Sequence, residues 1–374
     1  MNTPNNFEKH FKKPDVSIDQ HTKRRIRTLG RSLRPRHAVY LDMCFWIALR
    51  DAVRTGSENA ALRLFYLLRE KTRAGAIFCP ISENTFVELM KQSDSISRDA
   101  TGKLIDELSL GVTLISEDMR VASEVTHFFV KCSGEAELLP LEELVWCKLS
   151  YVLGIIHPTQ TVFDQATELA IQKAFFDHMW TIPLTRLVEL VGDAEIPGRD
   201  LSKLASNLNT AIAAHAYELR SFRQAYRTEV RGAVDMGGGF AADTIPEIAA
   251  TRGITLPEPT CEERKLAEKD CKNLMAAALE QGKAQDQLRT MHILASLHAS
   301  LRWNKGQKFV SNGIFDFHHA TAALAYCDAF FTEGPLCAMI KQKHLQLDKQ
   351  FGCHVTADIE DAITWIENAS QRVE

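Results

Sequence analysis

The stretch VYLDMCFWI at residues 39–47 decides the fold, because a short apolar run ends there in an acidic residue and an apolar helix follows. The run 38–41 is wholly apolar, which is typical of a parallel strand covered on both faces. Apolar runs at 76–81 and 112–115 repeat the pattern, each after a segment with helical periodicity. Successive strand–helix units predict a parallel sheet with right-handed crossovers.

The middle of the chain has a different pattern. From about 119 to 304, apolar residues recur at spacings of three and four, and no convincing strand occurs. Three glycines at 237–239 predict a flexible joint in a loop-rich region, 232–259. Strand–helix alternation returns near Asp316. We therefore predict an α/β protein whose parallel sheet of about five strands, flanked by helices, is interrupted by a large all-helical insertion. The predicted segments are a basic N-terminal arm at 1–36, the two halves of the α/β domain at 37–118 and 305–374, and the insertion at 119–304.

Acidic residues stand beside the predicted strands at both ends of the chain. They are Asp42 at the end of the first strand, Glu88 on the helix after the second, Asp316 at the start of a helix over 317–327, and Asp328 and Glu333 on either side of a strand at 329–332. Because the carboxyl ends of parallel strands meet in one crevice, we expect these carboxylates to converge. Crowded carboxylates repel one another and favour a bound cation, and Mg²⁺ prefers oxygen ligands.

Each acidic residue also has a structural explanation. Asp316 could be only the N-cap of its helix, and Asp328 could cap the turn before its strand. Glu88 could be a solvated helical residue, and Glu333 alone would be assigned to the surface. Asp42 is harder to explain in this way, because apolar residues precede and follow it.

The segments VYLDMCFWI, PISENTFVELM and FDFHHATAALAYCDAFFTEG together resemble the PIN-domain family of metal-dependent nucleases, in particular large bacterial PIN-like proteins. The resemblance covers about 37–118 and 309–370. It implies a PIN-like sheet and a pocket for Mg²⁺ or Mn²⁺ with Asp42, Glu88 and Asp316 as ligands. The family's T-x-D pattern is broken here, since Gly334 follows two residues after Thr332. Glu333 is the adjacent candidate ligand, and Asp328 is a further catalytic candidate.

Two basic segments are candidates for contact with nucleic acid, although the formal charge of the whole chain is −4. Residues 1–37 carry ten Lys or Arg against three acidic residues. The stretch 301–309 interleaves cations and aromatic rings, which could hold a single strand by phosphate contacts and base stacking. The candidate residues are Arg302, Trp303, Lys305 and Lys308. The arm could instead be a solvated, partly disordered terminus, and the second stretch a helix end with favourable cations.

Other features exclude several classes of protein. His318 and His319 are neighbours on a helix and point about 100° apart, so both cannot face one ion. There is no P-loop and no G-x-S-x-G motif. Nine cysteines without a C-x-x-C pair indicate a reduced, cytoplasmic protein. No apolar run approaches the ~20 residues that span a membrane, so no membrane partner is expected.

These observations predict a divalent-metal-dependent endoribonuclease, with RNA as the partner because of the family resemblance alone. A structure-specific DNA nuclease, for instance in phage defence, would use the same pocket. The third hypothesis is a degenerate PIN-like module that binds nucleic acid or protein without cleaving it, and Gly334 favours this hypothesis. The sequence leaves a homo-oligomer open.

Overall fold

The computed structural model describes residues 6–134, 138–192, 202–215, 220–304 and 308–372. In these ranges the chain is a mixed α/β protein in which helices predominate. In chain order the elements are α1 (Phe7–Phe11), α2 (Ile18–Leu33), β1 (His37–Leu41), α3 (Met43–Thr55), α4 (Ala60–Arg73), β2 (Ile77–Phe78), α5 (Glu83–Lys91), α6 (Ser95–Leu108), β3 (Val112–Leu114), α7 (Glu117–Cys132), β4 (Trp146–Lys148), α8 (Gln165–Met179), α9 (Leu184–Val191), α10 (Ser202–His215), α11 (Phe222–Ala233), α12 (Gly238–Thr251), α13 (Cys261–Glu280), α14 (Arg289–Trp303), α15 (Ser311–Tyr326), β5 (Ala329–Phe331), α16 (Gly334–Ile340), α17 (Leu347–Phe351), β6 (His354–Thr356) and α18 (Ile359–Asn368).

A four-stranded parallel sheet has the order β2-β1-β5-β6. β1 pairs with β2 in the register His37 to Ile77, and β5 pairs with β6 in the register Ala329 to His354. The α/β class is therefore confirmed, with four parallel strands where about five were predicted. The third predicted strand, β3, lies instead in a separate sheet, antiparallel to β4.

Pro80 explains why β2 is so short. Proline has no backbone N–H to donate, so a run that contains it cannot continue as a regular central strand. The predicted strand at 76–81 is accordingly reduced to two residues. Ile81 resumes the pairing as a single parallel bridge to Thr113, with a hydrogen bond from Leu114 N to Ile81 O of 2.9 Å.

The chain divides into two compact units. The first unit comprises Met1–Ser116, Glu142–Ile196 and Asp358–Glu374, and the second comprises Glu117–Leu141 and Pro197–Ala357. In the first unit β1 is the centre of the core, since the side chains of Val39, Tyr40 and Leu41 are fully buried. This burial matches the uninterrupted apolar run by which the strand was predicted.

The described part of the basic arm, residues 6–36, contains the helices α1 and α2 and belongs to the first unit. A capping box between Ser17 and Gln20 begins α2. Arg31 and Arg34 both form ion pairs of 3.1 Å with Glu143. Gly30 lies against the backbone of the same residue, where a Cβ would meet Glu143 O at 2.3 Å. A glycine is therefore required at this helix contact.

The second unit has a helical core. Most of its buried side chains come from long helices, as in Val125 of α7, Val230 of α11, Met275 of α13 and Met291 of α14. The helical period in the middle of the sequence is explained by this packing, because each helix buries one apolar stripe. The predicted all-helical insertion at 119–304 nevertheless contains one described strand, β4, which belongs to the first unit.

The prediction of a loop-rich region at 232–259 is wrong up to residue 251 and right for 252–259, which contain no helix or strand. Residues 238–251 form α12, and a turn of 3₁₀ helix precedes it. A Cβ on Gly237 would lie 2.3 Å from Met291 Cε and 2.9 Å from Val125 Cγ2. This glycine therefore permits close packing in the core rather than flexibility.

All nine cysteines are free thiols. Burial raises the pKa of the Cys147 thiol to about 12, which leaves it protonated and unreactive at neutral pH. Among the residues with described positions, no helix has both the length and the apolar character needed to cross a bilayer.

Candidate metal site

Asp42 is placed by the end of β1 and the beginning of α3. It is the N-cap residue of α3, with an extended backbone, and its carboxylate accepts a 2.7 Å hydrogen bond from Met43 N. The residue is only 4% exposed. The N-terminus of a helix carries partial positive charge, which favours a carboxylate at this buried position. A buried strand followed directly by a helix thus accounts for the local placement of Asp42.

Glu88 lies on α5, whose beginning is held by buried hydroxyl groups. The Tyr40 hydroxyl is hydrogen-bonded to Ser82 Oγ at 2.6 Å and to Thr85 Oγ1 at 2.9 Å. Ser82 precedes α5 but its side chain does not cap the helix. Its hydroxyl instead joins α5 to β1, the strand that ends at Asp42. The network therefore fixes the helix that carries Glu88 to the strand that carries Asp42.

The other end of α5 is joined to α3. Gln92 accepts a 3.2 Å hydrogen bond from Arg50 Nη1, and its amide nitrogen lies 3.4 Å from the sulfur of Met43. Arg50 also donates a 3.0 Å hydrogen bond to Asp51. α5 is thus joined at its beginning to β1 and at its end to α3, and Glu88 lies between these two contacts.

Asp42 and Glu88 have carboxylate oxygens within 4.8 Å of each other. Two ligands at ~2.1 Å from one Mg²⁺ ion stand ~3.0 Å apart in adjacent octahedral positions and ~4.2 Å apart in opposite ones. A distance within 4.8 Å is therefore compatible with a shared divalent ion. Both donors are hard carboxylate oxygens, which suits Mg²⁺ or Mn²⁺. The pair fits the kind of ion that the family resemblance implies.

The remaining acidic candidates lie in the second unit. Asp316 is the sixth residue of α15, because the helix begins at Ser311 and not at 317 as predicted. It is partly buried, and the N-cap explanation does not apply to it. The carbonyl oxygen of Asp328 accepts a 2.8 Å hydrogen bond from His354 N, which continues the pairing of β5 with β6.

Glu333 and Gly334 mark the place where the T-x-D pattern is broken. Glu333 is the exposed N-cap residue of α16, and its side chain forms no capping hydrogen bond. A Cβ added to Gly334 would meet no atom within 4 Å. The backbone therefore has room for the aspartate that the family pattern places here.

The two histidines of α15 have different environments, as expected from their adjacent positions. His318 Nδ1 donates a 2.7 Å hydrogen bond to Glu117, the first residue of α7. His319 is fully buried and lies three residues after Asp316, on the same face of α15. Glu117 was not among the sequence candidates, although it follows the apolar run 112–115 just as Asp42 follows its own strand.

The residues predicted to contact nucleic acid differ in how accessible their side chains are. Arg302 forms an ion pair with Glu229, so a phosphate would have to compete with that carboxylate. Trp303 is the last residue of α14 and is 38% exposed. Lys308 is exposed, and Lys305 lies outside the described residues. These contacts stay predictions.

A second group of possible metal ligands lies in the first unit. His10 and His21 each donate an Nε2 hydrogen bond to one carboxylate oxygen of Asp177, at 2.9 and 3.0 Å. Burial raises the pKa of Asp177, but these hydrogen bonds and the charge of Arg25 outweigh it and lower the pKa to about 2. Arg25 lies 3.6 Å from the same carboxylate, which disfavours a further cation. The group therefore serves to hold α1 and α2 on α8.

Comparison of the chain with protein-family models, with curated proteins and with solved structures yields no match.

Proposed function

We propose that this protein is a divalent-metal-dependent nuclease that hydrolyses RNA phosphodiester bonds, as an endoribonuclease of the PIN-like kind. The observation that carries the proposal is the approach of the Asp42 and Glu88 carboxylates within 4.8 Å. Two carboxylates this close repel each other, and the repulsion is stronger where one of them is buried, as Asp42 is. This repulsion is a cost that a bound cation would offset.

Asp42 and Glu88 would hold the ion, and the resemblance implies Asp316 as a third ligand. His319 is a second candidate on the same helix face, because it is fully buried and can offer a ring nitrogen. When bound, a divalent ion supplies an activated water and neutralises charge on the phosphodiester. The surrounding protein groups would orient the two carboxylates. The hydrogen bond from Met43 N fixes one oxygen of Asp42, and the Tyr40 hydroxyl network fixes the helix of Glu88.

Cleavage assays with the parent protein and three variants test the proposal. Fluorescent RNA and DNA oligonucleotides are incubated with Mg²⁺, Mn²⁺ or EDTA. Asp42→Asn and Glu88→Gln should each abolish cleavage, whereas Glu70→Gln, which alters an exposed acid of α4, should not. Full activity in Asp42→Asn would reject the metal role of Asp42.

The same design identifies the third ligand. If Asp316 binds the ion, Asp316→Asn should lose activity and raise the Mn²⁺ concentration needed for half-maximal cleavage. If His319 binds it, His319→Gln should do so instead. Circular dichroism and the melting temperature in EDTA would show whether either variant has lost its fold.

The two alternatives give different results in these assays. A DNA nuclease would cleave DNA oligonucleotides and leave RNA intact in the presence of the same ions. A non-cleaving PIN-like module would bind nucleic acid or protein and cleave neither substrate. The glycine at position 334 is the feature that favours this second alternative.

A further inference from the structure

A groove of about 520 Å³ lies along α13 in the second unit. The end of α11 and the 3₁₀ turn after it form its other wall. Its cationic lining residues are Arg231, Lys265, Lys269 and Lys272. The three lysines are spaced by four and three residues, so they share one face of α13.

The acidic residues of the groove are already paired. Asp235 forms a 2.9 Å ion pair with Lys272, and Glu268 lies 3.5 Å from Arg264. Glu280 is 3.4 Å from Arg227. The unpaired charge of the groove is therefore positive, because the acids are matched by other cations of the same surface.

Lys265 and Lys269 supply that positive charge. Both side chains are exposed, and within the described part of the chain neither forms an ion pair. Placed on neighbouring turns of α13, their ammonium groups attract anions from solvent. An anion can bind to these two ammonium groups without breaking an existing ion pair.

A row of arginines extends the same positive surface along α11. Arg223, Arg227 and Arg231 recur every four residues and are all exposed. Four residues rise by ~6 Å and turn by ~40° beyond a full circle, so the three side chains follow one face over ~12 Å. Arg227 and Arg231 share the single carboxylate of Glu280, at 3.4 and 3.8 Å, so one positive charge of this pair stays unmatched and Arg223 adds another. A row of this length suits an extended polyanion better than a single phosphate group.

We propose that the groove between α11 and α13 binds the phosphate backbone of a single nucleic-acid strand. Among the described residues that line it there is no aromatic side chain. Contacts would therefore be made to phosphates and not by stacking on bases, and binding would not depend on sequence. The choice of RNA as the strand rests on the proposed function; the anionic backbone follows from the groove.

Binding of a fluorescein-labelled single-stranded RNA, measured by anisotropy in EDTA, tests the groove without cleavage. The test variant is Lys265→Ala combined with Lys269→Ala. Two controls remove the same charge elsewhere: Lys341→Ala with Lys343→Ala in the second unit, and Lys9→Ala with Lys12→Ala in the N-terminal arm. All six side chains are exposed, so the fold should persist. Melting temperatures verify it.

The expected result follows from counterion release. Each phosphate contact with a single strand contributes ~0.7 to the slope of log K against log salt, so the double variant should lose ~1.4 of slope. At 0.1 M salt this corresponds to a ~25-fold weaker affinity. Both controls should bind within about twofold of the parent protein. A loss in the arm variant with full affinity in the groove variant would overturn the proposal.

Three further outcomes are decisive. If polyglutamate of matched length bound as tightly as RNA and also lost affinity in the groove variant, the groove would be a site for acidic protein and the proposal would fail. If RNA binding behaved as expected but no ion supported cleavage, the proposed nuclease function would fail and the groove would stand. Normal RNA binding by the groove variant, together with metal-dependent cleavage, would reject the groove alone.

Discussion

Glu124 of α7 gives the clearest prediction of pH dependence. Its carboxyl group is fully buried in the second unit. Thr290 donates to it from its backbone nitrogen at 3.0 Å and from Oγ1 at 2.7 Å, and the Tyr326 hydroxyl donates at 2.5 Å. Arg120 on the same helix is the neighbouring cation. Three hydrogen-bond donors and one cation thus act on this acid.

Burial nevertheless dominates and raises the pKa of Glu124 from 4.5 to about 7, although the hydrogen bonds and the charge of Arg120 lower it. The folded protein therefore holds this proton more tightly than the unfolded chain does. The resulting stabilisation is fully present below pH 4.5 and is lost as the pH rises to about 7. A difference of about 2.5 between the two pKa values corresponds to about 3 kcal/mol.

Glu124→Gln removes the ionisation while preserving the shape of the side chain. Urea unfolding of the parent and of the variant is compared at pH 5 and pH 8. Between these two values the parent should lose about 3 kcal/mol relative to the variant, because all other titrating groups are common to both. Glu262→Gln, which alters an exposed acid of α13, should instead follow the parent at both pH values. A constant difference between the parent and Glu124→Gln would refute the reasoning.

The remaining predictions concern the metal site and two glycines. Asp42→Asn keeps a good N-cap and removes the repulsion from Glu88, so its melting temperature in EDTA should equal or exceed that of the parent. The variant should lose the metal stabilisation of ~2.7 kcal/mol expected at Mn²⁺ concentrations 100 times Kd, or roughly 5–11 °C by calorimetry. Equal Mn²⁺ shifts in parent and variant would contradict this. Gly30→Ala places a methyl group 2.3–2.7 Å from backbone atoms and should cost at least ~1–3 kcal/mol in urea. In Gly102→Ala, also within a helix, the new methyl group would meet only a methyl carbon at 3.5 Å, so the free energy of unfolding should rise by up to ~1 kcal/mol. If both glycine variants changed the stability in the same direction, this packing argument would be wrong. Gly334→Asp has room for its side chain and should tighten Mn²⁺ binding by titration calorimetry; unchanged affinity would exclude this position from the site.

Local features of the sequence predicted the elements on which the first unit is built. The run 38–41 is wholly apolar because β1 is buried on both faces, and Asp42 follows it because a helix begins there. β4 was missed because three residues carry too little periodicity to distinguish a strand from a helical segment. The glycines at 237–239 predicted a loop because the close packing of Gly237 against Met291 is a tertiary feature that no local pattern contains.

For the candidate site too, local sequence patterns predicted some features, whereas contacts between distant residues were not predictable. The closeness of Asp42 and Glu88 agrees with the strand-end rule, which depends only on consecutive strand–helix units. The pairing of His10 with Asp177 spans 167 positions, and no sequence spacing indicates it. Asp316 resembled an N-cap because the six residues before it, which include Gly313, gave no strong signal that a helix had already begun.

The density of Lys and Arg along the sequence does not show which cations can bind phosphate in the folded protein. The arm has the highest density of cations, yet Arg31 and Arg34 are paired with a carboxylate far along the chain. α13 holds four cations against five acids, so its sequence appears neutral. The helix nevertheless turns Lys265 and Lys269 toward the groove, while the acids there are matched by other cations. A surface that binds phosphate is defined by which charges remain unpaired after folding, and this is why the groove variant is expected to lose more affinity than the arm variant.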